Sequence, residues 1–407
     1  MRRLYFDHAA STPVDPRVLR AMRPYFSRMF GNPGSLHSFG QEAIAAVDAS
    51  REKIGKLIGT KHFREIVFTS GATEANNLAL RGAVEFYKKN HPDVAQPRII
   101  ISAIEHESVF EPARALEQYG VEVVRLPVNK EGVIDIVALK DAMNERTVIV
   151  SVMHVNNETG TIQPLREIKF MIDTFKKEAA GDGGAPDAYP LFHTDAAQSF
   201  PYLYCDVELL GVDMMTLSAH KMNGPKGVGA LYVRRDEKVF STSGGFPLAA
   251  QVTGGGQEFG VRSGTENVPG IVGFAKAAQL AAAARGKIST RVAGLRDELW
   301  RRIKLVAPGA EINGPMGDAK APHILNIYFP GHAAQDLLTR FDRAGLAASS
   351  GSACRSRAVE SSYVIEELGY SKERAASSIR FSLGNGTTKR DVAAAAKIVG
   401  NIVKNKR

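Results

Sequence analysis

With 407 residues, 44% of them hydrophobic and 23% charged, the chain has ordinary soluble-protein composition and enough length for two or three structural units. Two cysteines, Cys205 and Cys354, cannot build a disulfide framework. The opening residues lack the apolar core of a signal peptide, and no apolar run reaches the length of a membrane span. A reducing, cytoplasmic setting without membrane contact is expected. The formal charge of +9 is scattered, apart from Lys404, Lys406 and Arg407 at the end, so a solvated basic surface is expected and direct nucleic-acid binding is not.

Short apolar runs alternate with helical patterns over the first half of the chain. Strands are predicted at 64–70, 98–104, 121–128, 147–155, 189–194, 212–218 and 227–233, with helices after Gly71 and at 134–144 and 164–177. Repeated strand–helix–strand units imply a mostly parallel sheet covered by helices on both faces. The last two runs are joined by a short Gly/Pro turn, which suits one antiparallel pair. Residues 241–265 are rich in Gly, Ser and Thr and contain Gly254-Gly255-Gly256, the composition of an ordered functional loop. Two Ala-rich helices follow, 266–285 and 290–306, then a strand at 324–329, a helix at 333–344, a strand at 377–383 and a helix at 387–404. The expected architecture is α/β: a large domain, 16–262, with a mixed, mostly parallel sheet, and a smaller α+β domain made of 1–15 and 263–407. The stretch 179–188 is expected to be a surface insertion.

Ligands of open parallel sheets bind beyond the carboxyl ends of the strands. The first strand is followed by Ser70-Gly71-Ala72-Thr73-Glu74, a glycine turn into a helix that suits an anion, though Thr73 as a plain helix N-cap would explain it equally. Later strands end in Glu105-His106-Glu107, in His154 to Gly160, in Asp195-Ala196-Ala197-Gln198 and in Ser218-Ala219-His220-Lys221. Singly, each is commonplace. Together they supply a phosphate cradle, an aromatic histidine, amides, a carboxylate and a lysine, the parts needed to hold pyridoxal phosphate. The carboxylate keeps the pyridine nitrogen protonated, and the lysine provides the Schiff-base amine. No metal is required.

In that order and spacing, YFDHAASTPVDP (5–16), GNP (31–33), TSGATE (69–74), MHVNNETG (153–160), HTDAAQ (193–198), SAHKMNGPKGVG (218–229), RSGT (262–265), SSGSAC (349–354) and SIRFSLG (378–384) resemble the cysteine desulfurases, in the class V aminotransferase group of fold-type I pyridoxal-phosphate enzymes. The resemblance covers nearly the whole chain. It implies that Lys221 carries the cofactor, Asp195 pairs with its ring nitrogen, Gln198 bonds its ring hydroxyl and His106 stacks on the ring. Ala72, Thr73, Ser218 and His220 would hold the phosphate. Asn157 and Arg380 would clamp the substrate carboxylate, a role suited to a bidentate arginine. Arg262 and Thr265 would reach into the partner's site of a homodimer, with Thr265 on the phosphate.

Cys354 lies among small residues with Arg355 and Arg357 beside it, a setting that favours thiolate. The resemblance makes it the nucleophile that takes sulfur from L-cysteine, leaving L-alanine and an enzyme persulfide. An iron–sulfur scaffold or a tRNA-thiolation protein would accept the sulfur. Cys205, in an apparent sheet segment, is expected to be a small buried hydrophobe. The alternatives are a selenocysteine lyase or another class V aminotransferase-type enzyme; a transaminase would have no use for Cys354.

Overall fold

The computed structural model describes residues 3–180, 189–236, 245–351 and 361–404. Its strands in chain order are β1 (Leu4–Tyr5), β2 (Ile66–Thr69), β3 (Arg98–Ser102), β4 (Glu122–Leu126), β5 (Thr147–Ser151), β6 (Leu191–Asp195), β7 (Met214–Ser218), β8 (Gly229–Val233), β9 (Glu311–Asn313), β10 (Ile324–Tyr328), β11 (Leu346–Ala347) and β12 (Ser378–Ser382). Strands β2 to β8 form a seven-stranded sheet in the order β2-β8-β7-β6-β5-β3-β4. Pairing is parallel from β4 to β7, whereas β8 runs antiparallel to both β7 and β2. The predicted reversal is therefore a single strand inserted between two that run the same way.

Every residue of β2, β5, β6, β7 and β8 is buried, as in a sheet covered on both faces. Alternation along each strand divides the core into two layers. Ile66, Phe68, Met215, Leu217, Ala230 and Tyr232 face the helices Ser38–Leu57 and Leu165–Ala180. Val67, Met214, Leu231 and Val233 face the helices Ala72–Asn90 and Glu107–Glu117.

The region 266–306 departs from expectation. In place of two helices there is one, Val268–Val306, of 39 residues. The intervening Gly286-Lys287-Ile288-Ser289 contains no proline, and one helical glycine costs only about 1 kcal/mol. Packing on both halves offsets that. Val268, Ile271, Phe274 and Ala277 join the core of the large sheet, and Val292, Leu295, Leu299 and Ile303 join a second core around the smaller sheet.

That smaller sheet has the order β12-β10-β9 and is antiparallel throughout, with β1 and β11 forming a separate parallel pair. Leu4 and Phe6 of the N-terminal segment belong to its core. Past β1 the segment lies along β12: Ser382 N donates to Phe6 O at 2.7 Å, and Ala9 N donates to Ser382 Oγ at 2.9 Å. Residues 5–10 are thereby carried from the smaller sheet to the edge of the large one.

Candidate active site

The carboxyl ends of β2, β3, β5, β6 and β7 share one edge of the large sheet, and the reversal of β8 brings its beginning to the same edge. A cavity of ≈ 420 Å³ opens there, within the usual range of ligand pockets. Ala72, Thr73, His106, Asn157, Asp195, Gln198, Ser218, His220, Lys221 and Arg380 all line it. Residues separated by more than 300 positions thus meet at one place.

At one end the helix Ala72–Asn90 begins directly after Gly71, and its first backbone N–H groups have no acceptor within the helix. Its N-cap is Gly71, so Thr73 sits inside the first turn and is not the cap. A Cβ on Gly229 would come within 2.8 Å of Gly71 Cα, so β8 can approach this turn only through a glycine. Ser218 Oγ is buried without a hydrogen-bond partner. An unused hydroxyl beside free N–H groups at a helix start is a site for a phosphate. His220 Nδ1 lies 3.4 Å from Ser11 Oγ; burial and then the charges of Lys221 and Lys226 push its pKa down to about 4, so the ring is neutral.

Across the cavity, Lys221 Nζ donates to Ala9 O at 2.6 Å and to Ala10 O at 2.9 Å. Asp195 ends β6 with 7% of its surface exposed; its Oδ2 accepts from Asn76 Nδ2 at 2.8 Å and its Oδ1 from Ala197 N at 2.9 Å. Gln198 donates through Nε2 to Ala9 O at 2.8 Å and accepts from His323 Nε2 at 3.1 Å. Arg380, 1% exposed, reaches in from β12. Its Nη1 donates to Asn157 O at 2.9 Å and its Nη2 to Asp7 Oδ1 at 2.8 Å. A buried unpartnered hydroxyl, a buried carboxylate and a primary amine around one cavity fit pyridoxal phosphate.

Residues 4–394 match the aminotransferase class-V family. The chain belongs to this family. Curated relatives named cysteine desulfurase IscS align over nearly the whole of this chain. The one from Anaeromyxobacter sp. (strain Fw109-5) is 44% identical over 99% of this chain and 93% of its own length. The one from Dictyoglomus turgidum (strain DSM 6724 / Z-1310) is 40% identical over 100% and 96%. A solved structure described as a NifS-like protein superposes with a TM-score of 0.86 at 33% identity, covering 99% of both chains. The cofactor of the family is pyridoxal phosphate.

Two predicted site residues of this class V chain do not line the cavity. Thr265 is exposed and lines a neighbouring recess with Phe68, Ser70, Gly227 and Arg262. Arg262 is paired with its own chain: Nε donates to Glu74 Oε1 at 2.7 Å, while Glu74 Oε2 accepts from Ser70 N at 2.7 Å. Cys354 lies outside the described residues. The residues flanking that stretch are placed, however. Ser349 and Arg380 exchange backbone hydrogen bonds at 3.1 and 2.6 Å. Ser362 Oγ donates to Glu158 Oε2 at 2.5 Å, and a Cβ on Gly351 would stand 2.8 Å from the same oxygen. Both flanks of 352–360 therefore meet the carboxylate next to Asn157. Cys205 is 1% exposed, and burial pushes its thiol up to about 11.

Several contributors were assigned no role of their own from the sequence. The carbonyls of Ala9 and Ala10, the carboxylate of Asp7 and the amide of Asn76 enter the class V site only through the fold. Asn76 could have been suspected, since it lies one helical turn after Ala72 and so shares that residue's face.

Proposed function

We propose that the chain is a pyridoxal-phosphate-dependent cysteine desulfurase. It removes the sulfur of L-cysteine to the Cys354 thiol, releases L-alanine and passes the resulting persulfide sulfur to an acceptor protein. The observation that carries this reading is the meeting of Lys221, Asp195 and Arg380 around one cavity whose far end offers Ser218 Oγ and the N-terminus of the helix Ala72–Asn90. When bound, pyridoxal phosphate supplies an electron sink for the bond-breaking at the substrate's α-carbon.

The chain's own groups then have separable tasks. Arg380, with Asn157 beside it, binds the substrate carboxylate through a guanidinium already oriented by Asp7. Lys221 Nζ, positioned by two carbonyl oxygens, accepts the proton from the α-carbon. Asp195, which accepts from Asn76 Nδ2 and Ala197 N, would balance the positive ring nitrogen of the bound cofactor. His106 lies at the cavity wall and Gln198 presents its amide near Lys221. The Cys354 thiolate attacks the substrate sulfur. An S–S bond forms, the C–S bond breaks, and the β-carbon keeps the electron pair and takes a proton, so cysteine plus enzyme thiol become alanine plus enzyme persulfide.

The active unit in this reading is a homodimer, with Arg262 and Thr265 completing the partner's site. Support comes from Thr265 standing outside its own cavity, and from the exposed side chains of Phe26, Phe30, Leu36 and Phe39 within one stretch of fourteen residues, 26–39. We also propose two units, 16–262 and 1–15 with 263–407, joined by the helix Val268–Val306 whose first half packs on the core of the larger one, and a cytoplasmic location. No helix among the described residues is long and apolar enough to cross a membrane. The acceptor is an iron–sulfur scaffold or a tRNA-thiolation protein.

The test is incubation of the loaded protein with L-cysteine, quantifying alanine and locating added sulfur by mass spectrometry. Equimolar alanine and one extra sulfur on Cys354 are expected, and Cys354→Ala should abolish both. Full turnover by that variant would overturn the reading.

A further inference from the structure

The hydrogen bonds around His106 locate its proton. Ser108 N–H can only donate, and it points at His106 Nδ1 at 3.1 Å. Nδ1 is therefore the bare nitrogen, and the proton of the neutral ring resides on Nε2. The chain of bonds continues inward. The Asp195 carboxylate can only accept, so the Asn76 atom facing it at 2.8 Å is the amide nitrogen. The second hydrogen of that nitrogen goes to Ser108 Oγ at 2.8 Å. Because Nδ1 is bare, the Ser108 hydroxyl, which accepts from Asn76, donates its own hydrogen to Nδ1, also at 2.8 Å. Donation runs outward from Asn76 in both directions, to Asp195 and through Ser108 to His106. Asn76 is fully buried and its Oδ1 has no partner, so only the two bonds it donates compensate for placing an amide there.

We propose that Asn76 and Ser108 are positioning residues that lock His106 as the neutral Nε2–H tautomer and tie its ring to Asp195. The catalytic consequence rests on the desulfurase reading; the tautomer itself is a property of the chain. A ring held in this way presents a hydrogen-bond donor, not an acceptor, to the cavity. Taking up a second proton at Nδ1 would set Nδ1–H against Ser108 N–H, so the imidazolium is disfavoured and the ring polarises without adding positive charge. His106 is also the N-cap of the helix Glu107–Glu117, whose positive end opposes protonation. Burial lowers the ring's pKa most; Asp195 and Glu107 act against it, and Lys221 and Arg380 act with it.

Protein labelled with ¹⁵N-histidine, assigned with His106→Gln and measured with and without cofactor, gives the direct readout. His106 should show an unprotonated Nδ1 and a protonated Nε2 throughout the neutral range. Ser108→Ala and Asn76→Ala should each lower the tautomer ratio about five- to tenfold, what one hydrogen bond controls. Ser108→Thr, which keeps the hydroxyl, should restore it. A protonated Nδ1 in the unmodified protein, or an unchanged ratio in the alanine variants, overturns the proposal. Should Asn76→Ala not fold, Ser108→Ala decides alone. Loss of the desulfurase reading would appear separately, as an intact tautomer with no alanine formed from cysteine.

Discussion

Arg380 Nη2 and Asp7 Oδ1 lie 2.8 Å apart, joining β12 to the N-terminal segment inside the cavity wall. The guanidinium is 2% exposed at the side chain, and its other arm is used by Asn157 O. Such a cation can await an anionic substrate only if something else compensates its burial meanwhile. Asp7 does so, and it fixes the plane of the guanidinium.

Replacing Asp7 by Ala should free Arg380 to rotate. The Michaelis constant for L-cysteine should rise about tenfold with a smaller fall in kcat, the pattern of a lost orienting contact. Asp7→Asn keeps an oxygen acceptor and should be milder. Steady-state kinetics on both variants checks this; an unchanged KM in Asp7→Ala would remove Asp7 from the binding site.

The amine of Lys221 should be the point of cofactor attachment. Borohydride reduction of the loaded protein, followed by peptide mapping, should fix the cofactor on Lys221 and yield no labelled peptide from Lys221→Ala. Labelling at another lysine, such as Lys226 on the same cavity wall, would displace the assignment.

Stability should depend on pH with opposite slopes on its two sides. Glu105 is fully buried; burial, only partly offset by Ser102 Oγ at 2.6 Å and Met153 N at 2.7 Å, pushes its carboxyl up to about 8. It is protonated in the folded chain while ionised in the unfolded one, so stability is fully present below the ordinary carboxyl range and lost as pH rises to about 8. His154 and His193 are pushed down to about 4 by burial, so their neutral folded forms lose stability as pH falls from about 6.5 to about 4. Thermal melting against pH should show both slopes. Glu105→Gln should flatten the alkaline one and leave the acid one, and an unaltered alkaline slope would exclude Glu105 as its source.

The loop carrying Arg262 and Thr265 is anchored by a buried ion pair. Arg51 donates to both oxygens of Glu258, at 2.7 and 2.8 Å, between the rings of Phe68 and Phe259, each 4.8 Å away. Phe68 N also donates to Glu258, at 2.8 Å. Glu258→Gln strands a buried cation and should cost about 3–5 kcal/mol in urea unfolding. The double change Arg51→Met with Glu258→Leu should cost less than the single one. A single-variant loss under about 1 kcal/mol would show that the pair does not anchor the loop.

The large α/β sheet and most of its strands were legible in the residues alone, because alternation, apolar runs and glycine turns are local signals that burial on both faces imposes. Thr73, His106, Asn157, Asp195 and Lys221 were legible too, because strand ends in a parallel sheet face one edge, whereas Arg380, in the middle of β12, was assigned only through the resemblance. Relations between distant segments came only with the fold. The helix Val268–Val306 is continuous because its two halves rest on different cores, which no window of residues 286–289 could show. Lys221 is held by the carbonyls of Ala9 and Ala10, and Arg380 by Asp7, because the N-terminal segment is laid along β12. Backbone carbonyls look alike at every position of a sequence, and a side chain's partner exists only once the chain has folded back on itself.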